Sequence, residues 1–173
     1  VAQRPEPWRE PTRALRLRWG TYGERYVAGI VLIVGGGVQL QGSNTWTLEF
    51  LLVGTIATAV GWSILPARGW RRIVAVVPAA GQLWLLLTGP LSVWTLVVPY
   101  LCWLLVRHRP ARSYLTAVIP LANGLVLPHF FVEYSGMPAA LAISMAVFVV
   151  SAWLARLIAV GAAASSQPAA SLR

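Results

Sequence analysis

The sequence predicts an all-α fold: a polytopic integral membrane protein, built as a compact six-transmembrane-helix bundle of three antiparallel hairpins, N-in/C-in. Three observations carry that expectation. Of 173 residues, 57% are hydrophobic and 11% charged, more apolar surface than a soluble core of this size absorbs. Apolar runs recur six times, separated by short polar links. All 14 Lys/Arg positions are arginine, and they cluster at alternate links, the pattern by which charge orients membrane helices.

Residues 1–20 mix Pro5, Pro7 and Pro11 with arginines, Trp8 and Trp19. After Thr12, a predicted N-cap, the run RALRLRWGTY reads as a short basic helix on the membrane surface, held by anionic headgroups at about 1 kcal/mol per arginine. The first span, 26–40, carries Gly29, Gly35, Gly36 and Gly37, a face that lets another backbone approach closely. A basic region before an apolar run also fits a signal peptide. GGGVQLQGS lacks an A-x-A site, however, and five more spans follow, so the run is read as an uncleaved first helix. The second span, 46–65, holds Glu49 about one turn inside its start and ends at the basic PARGWRR. The third, 73–87, and fourth, 91–106, are joined by TGP alone, which forces an antiparallel hairpin. After RHRPARS the fifth span runs 114–132, and after YSGMP the sixth runs 139–160. The small, polar tail 161–173 reads as disordered and cytoplasmic. These spans form one transmembrane domain over 21–160, preceded by the basic interfacial segment 1–20.

Orientation follows from the links. The N-terminal segment and the links at 66–72 and 107–113 hold nearly all the arginines, whereas those at 41–45, 88–90 and 133–137 hold none. Trp19, Tyr26, Trp62, Trp70, Trp103 and Tyr114 fall at inner ends, and Trp46, Trp84, Trp94 and Tyr134 at outer ends, as an interfacial belt requires. The expected location is a plasma membrane with both termini cytoplasmic.

The residue inventory excludes several chemistries. The chain has no aspartate and no lysine, so paired-aspartate proteolysis, a Schiff base and a P-loop are all impossible. No H-E-x-x-H or other clustered zinc pattern occurs, and YSG at 134–136 is not a G-x-S-x-G elbow. Neither an enzymatic activity nor a cofactor is expected. The net charge of +9 does not signal nucleic acid, because no aromatic-studded basic surface accompanies the arginines. The single cysteine, Cys102, reads as a small buried hydrophobe.

Polar groups inside apolar runs mark where a site is to be sought. Glu49, His129 and Glu133 are the ionisable side chains expected on the outer half. His129 and Glu133 are four apart and would share a helix face, making a candidate site for a cation or proton. Asn123 and Gln82 are candidates for substrate contacts or hydrogen bonds between helices. Pro78, Pro99, Pro120 and Pro128 are kink candidates, each freeing a carbonyl four residues earlier. AVVPAAGQLWLL at 75–86 aligns with AVIPLANGLVLP at 117–128, which suggests a duplicated, parallel hairpin of the kind transporters use.

With links too short for a soluble domain, function is expected inside the membrane. The first expectation is a transport component, a compact carrier or the membrane subunit of a larger system, for a small solute or cation. The alternative is a structural or assembly subunit. Its partners would be the bilayer itself, a second subunit or another copy of the chain.

Overall fold

The computed structural model describes residues 10–165, apart from 16 and 18. It is all-helical, with six α-helices and no strand among the described residues. These are α1 (Tyr22–Gln41), α2 (Glu49–Ile64), α3 (Gly69–Leu86), α4 (Val97–Val106), α5 (Val118–Val126) and α6 (Met137–Ser165). The helix α6, continuous with a 3-10 turn that starts at Tyr134, is long and apolar enough to cross a membrane, with mean hydropathy 2.1 and only 22% of its most apolar window buried. Shorter apolar helical stretches are Glu49–Ile64 and Pro90–Val106.

α1 starts at a capping box. Thr21 Oγ1 accepts from the Glu24 backbone N–H, and Glu24 accepts from the Thr21 backbone N–H, which satisfies two of the donors a helix start leaves open. Donation to the carboxylate by Thr21, from its backbone N–H first, also holds the Glu24 carboxyl below its ordinary value. α1 and α2 then meet backbone to backbone. A Cβ placed on Gly36 would lie 2.6 Å from the Gly54 carbonyl, and one on Gly54 would lie 2.6 Å from the Gly36 carbonyl. Gly29 and Gly61 face each other in the same reciprocal way, at 3.1 and 2.8 Å. Both pairs are seven residues apart on their own helix, two turns, so they share one face. Of the glycines expected to allow close packing, Gly29 and Gly36 do so. Gly35 does not: a Cβ there meets nothing within 4 Å, and one on Gly37 finds only Leu83 Cδ2, at 3.7 Å. About 100° per residue turns those two away from α2.

α4 and α5 share a local design. A 3-10 segment precedes each, Pro90–Leu96 and Ala111–Ala117, and proline stands third in each helix, at Pro99 and Pro120. The sequences SVWTLVVP (92–99) and SYLTAVIP (113–120) align as S-x-x-T-x-x-x-P. Proline has no N–H to bond the carbonyl of the threonine four back, so the preceding turn is free to wind as 3-10. Thr95 donates to Ser92 O and Thr116 to Ser113 O, both at 2.7 Å. The alignment of 75–86 with 117–128 fares worse. Pro78 lies inside an unbroken α3, whereas Pro120 follows a 3-10 segment, so the two stretches differ in conformation.

Other expectations are corrected by packing. The basic surface helix expected after Thr12 is not found among the described residues of 13–21, positions 16 and 18 lying outside them. Pro11–Ala14 makes one 3-10 turn with Thr12 fully buried inside it, and regular helix begins only at Tyr22. Glu49 is the first residue of α2 rather than a turn inside it. The fifth span stops as α-helix at Val126, continues as 3-10 over Leu127–His129, and leaves Phe131 and Val132 non-helical. α6 continues to Ser165, five residues into the stretch read as tail. The remainder of the tail and residues 1–9 lie outside the described residues.

On α6 the buried face is small and partly hydroxylated where the exposed face is large and apolar. α6 buries Ala140, Ser144, Ser151, Ala155 and Ala159, but exposes Ile143, Met145, Val149, Val150, Trp153 and Leu157. Ser144 and Ser151 donate to carbonyls four residues back, which satisfies their hydroxyls without a partner helix. Cys102 is buried among Trp62, Ala79 and Val106.

The glycine contacts make a direct prediction. Gly36→Ala or Gly61→Ala forces backbone apart and is expected to cost about 1–3 kcal/mol. Gly35→Ala meets nothing and is expected to be neutral or to stabilise by up to about 1 kcal/mol. Unfolding of the purified variants in detergent compares them.

Candidate functional site

Because α1 lies against α2, and α6 against the 111–126 segment, a gap remains between the first and last helices. It is a half-open cavity of about 510 Å³ floored by α3 and α4. Its rim is apolar and exposed: Val27, Val31 and Val38 on one side, Met145 and Val149 on the other. Lining residues run along α1 from Tyr26 to Gln41, about 22 Å at 1.5 Å per residue. The floor is buried and holds the few polar groups. Gln82, 3% exposed, donates through Nε2 to Thr95 Oγ1 at 3.4 Å, while its Oε1 has no partner. The Thr58 hydroxyl, on a side chain 1% exposed, also has none. That hydroxyl belongs to α2 and is packed against Gly36 of α1; an unmatched buried polar atom costs about 1–3 kcal/mol, so Gln82 is where a bound molecule would gain most from a hydrogen bond. Ser144 lines the same cleft and accepts from Asn123 Nδ2 at 3.1 Å.

The end of the bundle that gathers the arginines meets the cleft's mouth at Tyr26 and Trp103, which line it and lie against Arg107. Hydrogen bonds join its parts: Arg25 Nε donates to Ile64 O at 2.9 Å, Arg71 to Leu105 O at 3.0 Å, and Ser113 to Ala155 O at 2.9 Å. α4 ends in a Schellman turn. Arg109 N bonds Leu104 O and His108 N bonds Leu105 O, with His108 in the left-handed conformation at φ 54°, a place that glycine usually takes. This turn brings Arg107 and Arg109 to one carboxylate, Glu10. Arg107 hydrogen-bonds Glu10 Oε2 and the Tyr22 hydroxyl, and Arg109 lies 3.1 Å from Glu10 Oε1. Aromatic rings surround the guanidinium of Arg107, Tyr26 at 4.8 Å and Trp103 at 5.8 Å, a favourable cation–π setting. Burial pulls the Arg109 guanidinium below its ordinary value; Glu10 pushes it back up, and Arg107 and Arg156 pull it down. Burial, then Arg71 and Arg68, likewise hold His108 below 6.5.

The residues expected to form a site divide. Gln82, Pro99 and Gly37 line the cleft, and Asn123 touches it through Ser144. Glu49, His129 and Glu133 do not. Glu49 is exposed at the start of α2, where a carboxylate suits the helix dipole. His129 and Glu133 are exposed as well, and Glu133 accepts from Ser135 Oγ at 3.3 Å. The expected helical pairing of His129 with Glu133 is not formed. Pro128 opens the closing 3-10 turn, and Phe131 turns in against the Leu86, Val93 and Met137 cluster, which unwinds the chain between them. Among the described residues, no three His, Cys or carboxylate groups are placed to hold a metal. Pro78 is exposed and Pro120 buried, so of the kink candidates only Pro99 borders the cavity.

Comparison with protein-family models, with curated proteins and with solved structures gives no match. Sequence reasoning missed Glu10, Arg107, Arg109, Tyr100 and Ser144. For Tyr100 a signal existed, since its hydroxyl bonds Thr116 at 2.7 Å inside the S-x-x-T-x-x-x-P pattern. Glu10 carried none beyond being one of two glutamates, with Glu6, in an arginine-bearing segment.

His108 gives a pH test. Its folded pKa is lowered, so the unfolded chain takes up a proton first as pH falls, and stability drops below about pH 6.5. His108→Gly is expected to add about 1 kcal/mol by relieving the left-handed backbone. It should also shrink the loss of unfolding midpoint between about pH 7.5 and about pH 5.5.

Proposed function

We propose that this is a six-span membrane protein, N-in/C-in, acting as a transport component that admits an apolar or amphiphilic solute to the cleft between α1 and α6. Three features support the membrane reading. Large apolar residues face outward on most helices, which a water-soluble monomer rarely tolerates in contiguous patches. Small and hydroxylated residues make the buried face of α6, and glycines the contact of α1 with α2, as in packed membrane helices. Arg71 of the arginine-bearing link 66–72 hydrogen-bonds Leu105 O in the last turn of α4, next to the arginine-bearing link 107–113, in keeping with a cytoplasmic face. A plasma membrane is the proposed location, and no nucleic acid is among the proposed partners.

The observation that carries the transport reading is the cleft itself: apolar walls, a half-open side and an unpartnered Gln82 Oε1 on the floor. Ligand sites are commonly cavities of about 300–1,000 Å³ with apolar walls and a few placed polar groups. A cation is the weaker choice of solute, since the carboxylates lie outside the cleft. Without lysine for a P-loop, transport would be passive, ion-coupled or driven by another subunit.

The second reading is an assembly subunit whose cleft receives a helix of a partner, and the cleft's helix-like length favours it. Purification in mild detergent followed by mass spectrometry separates the two. A stoichiometric lipid-like molecule, lost in Gly37→Leu, is the expected outcome, because that side chain projects into the cleft. A stoichiometric protein in its place selects the assembly reading, and retention of neither sets the cleft aside as a site.

A further inference from the structure

We infer that the mouth of the cleft is a headgroup site for an anionic phospholipid, with the Glu10 carboxylate as its internal competitor. This rests on the proposal that the cleft takes an apolar chain. The connecting observation is that Tyr26 and Trp103 belong to both places: each lines the cleft, and each stacks on the Arg107 guanidinium. An amphiphile whose chain lies along α1 therefore brings its polar end to Arg107 and Arg109.

The chemistry there suits a phosphate. Two guanidinium groups converge on a single pair of carboxylate oxygens, with the Tyr22 hydroxyl accepting from Arg107 beside them, and arginine recognises carboxylate and phosphate with the same fork of donors. Glu10 occupies that position from a short segment held by one 3-10 turn and a Thr12–Tyr22 hydroxyl contact of 3.2 Å. The surrounding charge stays positive when Glu10 is counted. Arg13 stacks on Tyr22, Arg25 and Arg71 are bonded to neighbouring carbonyls, and Arg156 acts on Arg109. The other described carboxylate at this end, Glu24, is engaged in the α1 cap. A lipid phosphate is thus attracted to the site, and it must displace Glu10 to bind.

Native mass spectrometry of the full chain in detergent tests this, with phosphatidylglycerol and phosphatidylcholine of identical chains as probes. The wild type is expected to retain phosphatidylglycerol about fivefold better, the factor that corresponds to ~1 kcal/mol of arginine–headgroup attraction. Arg107→Gln is expected to remove that preference and leave phosphatidylcholine retention unchanged. Glu10→Gln is expected to strengthen phosphatidylglycerol binding by a similar factor, a gain that damaged folding would not produce. Equal retention of the two lipids by the wild type, both lost in Gly37→Leu, overturns the headgroup site and leaves the cleft standing. Retention of neither lipid overturns both readings. A preference abolished by an equal concentration of inorganic phosphate assigns the arginines to a free anion and overturns the lipid. An unchanged phosphatidylglycerol affinity in Glu10→Gln removes Glu10 as the competitor.

Discussion

The reciprocal glycine contact between α1 and α2 decides most of the architecture. Gly29 against Gly61 and Gly36 against Gly54 bring two backbones close enough that no side chain fits between them. Such contact gains dispersion energy along both helices and loses no side-chain entropy, because glycine has none to lose. It also commits α1 to α2. Having spent its bare face there, α1 has only limited contact with α3, and a space is left between it and α6. The cleft is a consequence of which face the glycines occupy.

The same economy appears in how the polar groups are handled. Buried hydroxyls mostly return to their own helix: Thr95 and Thr116 bond carbonyls three back, and Ser144 and Ser151 bond carbonyls four back. Pro99 and Pro120 stand where a preceding 3-10 segment has taken up the missing bond, whereas Pro78 stays inside an unbroken α3. Gln82 and Thr58 break this pattern, each with a buried oxygen left unmatched, Gln82 on the floor of the cleft and Thr58 against Gly36. Leaving such atoms unsatisfied costs stability, and in native proteins they gather where another molecule is meant to bind.

At the arginine end the electrostatics reinforce one another. The left-handed His108 turns the chain so that Arg107 and Arg109 reach one carboxylate, and Tyr22, Tyr26 and Trp103 stack on the Arg107 guanidinium. Of these, Tyr26 and Trp103 were expected at inner span ends from position alone. Their role as an arginine cage was not, because it requires α1 and the end of α4, about 80 residues apart in sequence, to meet in space.

Local pattern carried what local physics governs. The six apolar runs, the arginine-bearing links, the tight TGP hairpin and the glycine spacing on α1 are all short-range properties of the chain, and each has its counterpart among the described residues. The site was only partly legible. Gln82 and Pro99 were singled out from sequence and line the cleft. Glu49, His129 and Glu133 were singled out by the same reasoning and lie outside it, because counting along an assumed helix ignores the unwinding after Val126. The sequence alone determined that this chain is helical and which of its links are basic. Tertiary structure alone decided which helices separate to leave a cavity, and that Glu10 answers Arg107 and Arg109. Both depend on contacts between residues far apart in the chain, where side-chain shape and charge select a partner that no periodicity encodes.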